Sequence, residues 1–266
     1  MNDPGALRIV QLTDTHLRAE RGELVRGQDP DATLNAVLTA IAAEGLPDLF
    51  LLTGDLVEDP VADAYRRVRE LVGNTGVPAW CLPGNHDDLD LMRTELNRDG
   101  LATPRARRVN GWLLVLLDST IPGDAGGELG SSELAGLADT LSSYPDEPAL
   151  VALHHPPVAL GSRWIDALGL ADAESFFEVI EDNPQVRAVI WGHAHQAWDG
   201  NWEDTLLLGT PSTGTQFLPG ADEYAHDTRP PGWRTLELHQ DGRIDTEVRW
   251  LEEKTARSPI GEPPRG

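Results

Sequence analysis

The segment WGHAH, Trp191 to His195, sets two histidines one position apart directly after the apolar run VRAVI. In an extended segment alternate side chains share a face, so both imidazoles are expected to converge on one point, and two imidazoles aimed at one point suggest a metal. A lone His-x-His is more often a pair in a surface turn, so the rest of the chain decides. Asp14 and His16 close VQLTDTH, Asp55 closes LLTGD, and Asn85, His86 and Asp87 close LPGNHD, while His154 and His155 close VALHH. Six of the eight histidines therefore stand where an apolar run ends. In an open α/β sheet that edge is where ligand sites form.

Aspartates and imidazoles crowded together without a cation would repel and lose hydration, whereas divalent ions turn that cost into bonding. The set holds no cysteine, which disfavours structural zinc and favours a catalytic centre of mixed nitrogen and oxygen ligands. Seven donor side chains are too many for one tetrahedral ion. They suit two ions that share a bridging carboxylate, the arrangement used in hydrolytic phosphate chemistry.

These loops need a scaffold. LRIVQLTD, DLFLLTGD, PAWCLPGNHD, GWLLVLLDS, PALVALHH and VRAVIWGH read as strands. They alternate with helices over DATLNAVLTAIAAEG, with a capping aspartate and a closing glycine, over DPVADAYRRVRELVGN, with Pro60 in its first turn, over LDLMRTELNRDG, from Ser132 to Ser143, and from Ala173 to Glu181. Continuously apolar strands alternating with helices indicate a sheet covered on both faces and largely parallel. After His195 the pattern changes: TLLLGTP, WRTLELH and IDTEVRWL read as strands with no helix between them, and the Asp-Gly in LHQDGRIDTEV marks a hairpin. One domain over residues 1–252 is expected, followed by a loose proline-, glycine- and charge-rich tail at 253–266.

Twenty-one basic against 44 acidic residues give a formal charge of −23. Long-range repulsion argues against a nucleic-acid backbone or an anionic membrane as partner, yet a small anionic substrate can still bind a locally positive site. Cys81, the only cysteine, lies in the apolar stretch PAWCLP and reads as a buried small hydrophobe, so no intramolecular disulfide is expected. The beginning MNDPGALRIV lacks the pattern of a signal peptide, and no run of 18 apolar residues occurs, so a soluble cytoplasmic protein is expected.

The series D-x-H, G-D, G-N-H-D, a strand-terminal H and G-H-x-H resembles the calcineurin-like metallophosphoesterase superfamily. Its spacing, with LPGNHDD, VALHHPPV, TPSTGTQF and RPPGWRTLELHQDGRI, is similar to that of bacterial class III cyclic-AMP phosphodiesterases, from about Leu7 to Trp250. The resemblance implies an α/β fold, the metallophosphoesterase four-layer α/β/β/α sandwich with two mixed sheets flanked by helices. It places Asp14, His16 and His195 on one metal and Asn85, His154 and His193 on the other, with Asp55 bridging them. In the His-His pair the first, His154, is the implied ligand. His86 is implied to contact the phosphate and help the leaving oxygen depart, with His16, Asn85, His86 and His195 touching substrate and Asn85 counted with His86 in catalysis. Two divalent or trivalent ions are implied, iron and manganese first, with zinc or cobalt as alternatives.

The implied reaction is hydrolysis of 3′,5′-cyclic AMP to 5′-AMP by attack of a metal-bridging hydroxide on phosphorus. A 2′,3′-cyclic nucleotide, another phosphodiester or a phosphomonoester is the alternative substrate, and a non-catalytic binding scaffold the least favoured reading. The expected partner is thus a small phosphate ester, with no nucleic acid and no membrane; a homodimer is left open. Relatives of this type commonly read P-S-T-C-F-Q-F where this chain has PSTGTQF, so Gly214 and Thr215 replace a thiol and an aromatic ring in a loop that could hold the base. Asp87 and Asp88 read as caps of the helix that follows them and Trp191 as packing, while Trp164 and Trp233 are candidates to border the base.

Overall fold

A computed structural model describes residues 5–252, so the tail expected at 253–266 lies outside the described residues. The first half alternates β1 (Leu7–Leu12), α1 (Pro30–Glu44), β2 (Leu49–Thr53), α2 (Ala62–Gly73), β3 (Ala79–Leu82) and α3 (Leu89–Leu96), then reaches the short β4 (Leu101–Ala102). The second half runs β5 (Ala106–Val109), β6 (Trp112–Leu116), α4 (Gly130–Ser142), β7 (Ala149–Ala152), α5 (Arg163–Asp166), α6 (Ala173–Glu181) and β8 (Val186–Trp191). Four strands close the chain: β9 (Trp198–Trp202), β10 (Thr205–Gly209), β11 (Gly232–Leu238) and β12 (Ile244–Trp250).

Two six-stranded sheets result, ordered β12-β11-β1-β2-β3-β4 and β5-β6-β7-β8-β10-β9. In the first, β1 to β4 are parallel, and β11 and β12 are antiparallel additions. In the second, β6, β7, β8 and β10 are parallel, with β5 and β9 antiparallel at the two edges.

Period-two alternation sorts the apolar side chains into layers. Val10, Leu12, Phe50 and Leu52 face α1 and α2, packing against Leu34, Val37, Ile41, Tyr65 and Val68. Leu7, Ile9, Leu49 and Leu51 point the other way and meet Leu114, Leu150, Ala188 and Ile190 of the second sheet. Beyond that sheet, Val151, Val189 and Trp191 pack on Leu137, Phe176 and Ile180 of α4 and α6. The architecture is therefore the four-layer α/β/β/α sandwich with two mixed sheets. Each fully buried Leu or Phe contributes about 1.5–3 kcal/mol to it. Cys81 is buried and free, and among the described residues no helix is long and apolar enough to cross a membrane.

Between the sheets a polar seam spans the gap. Gln11 donates to Thr53 Oγ1 at 2.9 Å and to the Trp191 carbonyl at 3.1 Å, and accepts from Thr210 Oγ1 at 2.6 Å. Buried Arg234 donates to the Gly209 carbonyl at 2.9 Å and to Asp199 at 2.6 Å. The Gln11–Thr53 bond lies within the first sheet, and the others join that sheet to β8, β9, β10 and the residue after β10, so the two halves of the loop edge are held in one register.

Several local expectations are corrected. The cap of α1 is Asp29, which accepts from the Asp31 and Ala32 amides, with Pro30 opening the helix. Pro60 precedes α2 rather than sitting in its first turn, because the helix begins at Ala62. Asp88 caps α3, accepting from the Leu91 amide, but Asp87 does not cap it. Its carboxylate instead accepts from the amides of Leu56 and Gly84 and from the Tyr65 hydroxyl, tying the loop after β3 to the loop after β2. Trp191 packs in the core as expected; Trp233 is also core, beneath the first helical layer.

Candidate metal centre

The loops after β1, β2, β3, β7 and β8 leave the carboxyl ends of parallel strands on one edge of the sandwich. Their backbones are unusual. Of the nine non-glycine residues with positive φ among the described residues, five are Asp14, His16, Asp55, His193 and His195. Side-chain-bearing residues rarely adopt this conformation, and it concentrates at sites where side-chain placement matters more than backbone ease. The segment WGHAH is accordingly not extended past Trp191, which corrects the expectation that both imidazoles share one face.

Backbone bonds lock the loops to one another. Asp14 N donates to the Gly54 carbonyl and His16 N to the Asp55 carbonyl, each at 3.0 Å. Glycine permits the closest approaches: a Cβ on Gly84 would lie 2.3 Å from Asp55 Oδ1, and one on Gly192 would lie 2.0 Å from Thr13 Oγ1.

Each carboxylate spends one oxygen on the protein. Asp14 Oδ2 accepts from Thr13 Oγ1 at 2.7 Å and His193 N at 3.1 Å, while Oδ1 has no hydrogen-bond partner and faces His195 Nε2 at 3.2 Å. Asp55 Oδ1 accepts from His86 N at 2.9 Å, and its Oδ2 lies 3.4 Å from His154 Nε2 and 3.8 Å from His16 Nε2. The free oxygen of Asp55 thus stands between two histidines from different strands.

The imidazoles are oriented from behind. His154 Nδ1 donates to the Thr53 carbonyl at 2.8 Å and His195 Nδ1 to the Thr215 carbonyl at 2.6 Å, while His16 Nδ1 lies 2.8 Å from Glu58 Oε2. Carbonyl and carboxylate oxygens only accept, so these Nδ1 atoms carry protons, and in the neutral ring each Nε2 presents a lone pair. His16 Nε2 and His195 Nε2 face each other at 3.3 Å with Asp14 Oδ1 beside them. Lone pairs turned on one another in a buried site cost free energy unless a cation lies among them. The donor set therefore fits metal ions.

A second group joins it. His193 Nδ1 lies 3.0 Å from Asn85 Oδ1, and its ring centroid is 5.1 Å from that of His154. His155 stands behind this group, its Nδ1 bonded to Ser119 Oγ at 2.8 Å and its ring 4.6 Å from that of His193. Four sets of donors whose ligand atoms are mutually within 4.8 Å connect the groups: Asp14, His16 and His195; His16, Asp55 and His86; Asp14, Asp55 and His154; His154, His155 and His193. All seven residues expected as ligands are thereby brought to one place.

The protonation pattern follows from burial against charge. Burial would raise Asp14, but neighbouring His195 and His154 bring it down to about 2. Burial keeps His193 neutral, down to about 3, and His155 likewise, down to about 2. For His154 burial opposes the imidazolium, yet Asp55 and then Asp14 outweigh it and push it up to about 9. His86 is raised as well, burial being overcome by Asp55 and by the Glu58 carbonyl and carboxylate. Its Nδ1 donates to the Glu58 carbonyl at 2.9 Å, which leaves Nε2 free. His86 and Asn85 line a cleft of about 640 Å³ whose other walls include Pro60, Leu89, Ile121 and Pro122.

Glu58 escaped the reading of the sequence. Three residues past Asp55, it looks like any acid in a loop, and only the fold turns it toward His16. Gly214 and Thr215 lie beside the centre, where the Thr215 carbonyl holds His195 and Phe217 stacks on the His195 ring at 4.1 Å. The visible role of Thr215 is support of a histidine. Trp164 stands one layer further out, edge-on to Phe217 at 5.1 Å.

Comparison with known proteins agrees with this geometry. Residues 7–197 match the family described as calcineurin-like phosphoesterase. The chain is 38% identical over 241 residues to the 3′,5′-cyclic adenosine monophosphate phosphodiesterase CpdA of Pseudomonas aeruginosa, covering 90% of this chain and 88% of that one. It is 39% identical over 249 residues to the enzyme of the same name from Escherichia coli strain K12, covering 92% and 90%. Among solved structures, a dimetal phosphatase from Danio rerio superposes with a TM-score of 0.67 at 14% identity, over 94% of this chain and 98% of that one. This last likeness concerns the fold alone.

Proposed function

The chain belongs to the calcineurin-like phosphoesterase family, and on that premise we propose that it hydrolyses 3′,5′-cyclic AMP to 5′-AMP at a dinuclear metal centre. In this reading Asp14, His16 and His195 hold one ion, Asn85, His154 and His193 hold the other, and Asp55 lies between them. One observation carries the proposal: Nε2 of His16, Nε2 of His195 and Asp14 Oδ1 converge, while His195 Nδ1 is bonded to the Thr215 carbonyl and His16 Nδ1 lies 2.8 Å from Glu58 Oε2. When bound, two such cations lower the pKa of a water and neutralise charge on the phosphate as the transition state forms.

The chain's own groups do the rest. Asp14 and Asp55 each keep one oxygen on the backbone, which holds the other in place and fixes where the ester sits. Asn85 contributes a neutral oxygen, so the centre stays less negative than a further carboxylate would make it. His86 keeps Nδ1 on the Glu58 carbonyl, and nearby carboxylates favour its imidazolium form, whose Nε2 proton is the one available to the departing ribose 3′ oxygen. The substrate is a small phosphate ester, and the cyclic-AMP phosphodiesterases that the chain resembles in sequence favour a cyclic nucleotide. Iron and manganese suit mixed nitrogen and oxygen ligation, with zinc or cobalt as alternatives. A single catalytic domain over residues 1–252 and a cytoplasmic location complete the reading, supported by the lone buried cysteine.

Turnover of cyclic AMP with manganese or iron, before and after chelation, tests the mechanism. Activity unchanged after verified metal removal would rule it out. Catalytic efficiencies on 3′,5′-cyclic AMP, a 2′,3′-cyclic nucleotide and a phosphomonoester test the substrate, and a cyclic-AMP rate far below the others removes the specific assignment.

A further inference from the structure

We propose that Arg26 is a substrate-binding residue whose guanidinium takes an oxygen of the phosphate ester at the rim of the metal centre. This rests on the phosphate-ester reading above. Val25 and Gln28 pair through both backbone bonds, at 2.8 and 3.0 Å, closing a two-residue turn of Arg26 and Gly27. Both turn residues have positive φ, 49° and 82°. Such turns favour Asn, Asp or Gly at the first central position, and a long side chain there is uncommon. An arginine held in this conformation points to a use for its side chain.

The side chain is placed accordingly. Arg26 lines a recess with Asp14, His16, His195, Gly214 and Thr215. Its guanidinium lies 5.8 Å over the ring of Phe217, the ring that stacks on His195, and Nη1 is 3.4 Å from Glu58 Oε2. The side chain is only 21% exposed. Among the described residues lining this recess and the adjoining His86 cleft, Arg26 is the one Arg or Lys. The cleft carries Glu58, Asp87, Asp88 and Asp90 on a chain of net charge −23, so metal ions and His86 apart, Arg26 is the local attraction for an anion. One of its five donors meets Glu58 and the others remain for a planar phosphate contact.

Arg26→Asn separates binding from support, because asparagine suits the left-handed turn while removing the cation. The expected result is a melting temperature and a metal content no lower than the parent's. KM for cyclic AMP and the inhibition constant of 5′-AMP should both rise about tenfold, as for loss of one charge-assisted hydrogen bond, with the loss in KM rather than kcat. Arg26→Lys should recover part of that affinity. KM and inhibition constant within twofold of the parent would overturn the proposal, as would a fall in metal content without a change in KM. If the parent cleaves bis(p-nitrophenyl) phosphate but not cyclic AMP, the substrate assignment above fails. The same comparison on that ester then judges Arg26 by its own numbers.

Discussion

His193 and His195, one residue apart on the chain, serve different donor groups: His193 Nδ1 lies 3.0 Å from Asn85 Oδ1, whereas His195 Nε2 lies 3.2 Å from Asp14 Oδ1. Positive φ at both residues turns the chain between them, so neighbours in sequence reach separate positions. Removing either imidazole should therefore weaken a different ion. His195→Ala and His193→Ala are each expected to bind roughly one ion per chain where the parent binds roughly two. Elemental analysis after dialysis checks this, and loss of both ions in each variant would show that the positions are not separable.

Gly84 is a matter of space, not of backbone freedom. A Cβ there would lie 2.3 Å from Asp55 Oδ1 and 2.4 Å from Asp55 N, and the backbone atom cannot step aside. Gly84→Ala should push Asp55 off its place between His16 and His154 and destabilise the fold by about 1–3 kcal/mol. Activity should fall about a hundredfold, the usual result of a shift near 1 Å. Gly214→Ala is the control, because its Cβ would meet only Ser212 Oγ at 3.5 Å. Denaturant melts and turnover of the two variants, measured side by side, decide it.

Metal uptake should release a proton from His154. With no cation nearby, Asp55 and Asp14 outweigh burial and keep this imidazole protonated up to about 9. A cation must displace that proton, so the logarithm of its apparent affinity should climb by about one per pH unit below pH 9 and then level off. The sign for stability is opposite. A folded-state value raised above 6.5 stabilises the metal-free protein fully below that pH, and the benefit fades as pH rises through about 9. Manganese titrations at pH 6, 7 and 8 with proton release recorded test the first claim; uptake with no proton released contradicts it.

The five ligand-bearing segments were legible because each apolar strand ends on its chemically active residue, and a parallel sheet sends all those ends to one edge. The alternation of strand and helix through His195 was legible for the same reason. The edge strands β4, β5 and β9 were not: ARRV and WDGNW carry few buried side chains, and LA is two residues long. Edge strands are held by pairing on one side, which leaves little mark on the residue pattern. Left-handed backbone at Asp14 or His195 is equally silent, since residue type does not report φ. Asp87 shows the limit most clearly. Beside Asp88, ahead of a helix, it reads as a cap, and only the approach of β2's loop makes it a tie between loops.

His86 offers the sharpest separation of proton transfer from metal binding. Its Nδ1 is committed to the Glu58 carbonyl, and its side chain, 29% exposed, borders the cleft. It shares one grouping of donors with His16 and Asp55, but its Nδ1 is already spent on the Glu58 carbonyl. His86→Ala should thus retain the parent's metal content while kcat for cyclic AMP falls by about 10² to 10⁴, the range for losing a general acid. An ester with a p-nitrophenolate leaving group needs no proton to depart, so its rate should fall far less. Equal losses on both esters would mean that His86 acts on phosphate binding rather than on the leaving oxygen. Loss of metal would place it among the groups that hold the ions.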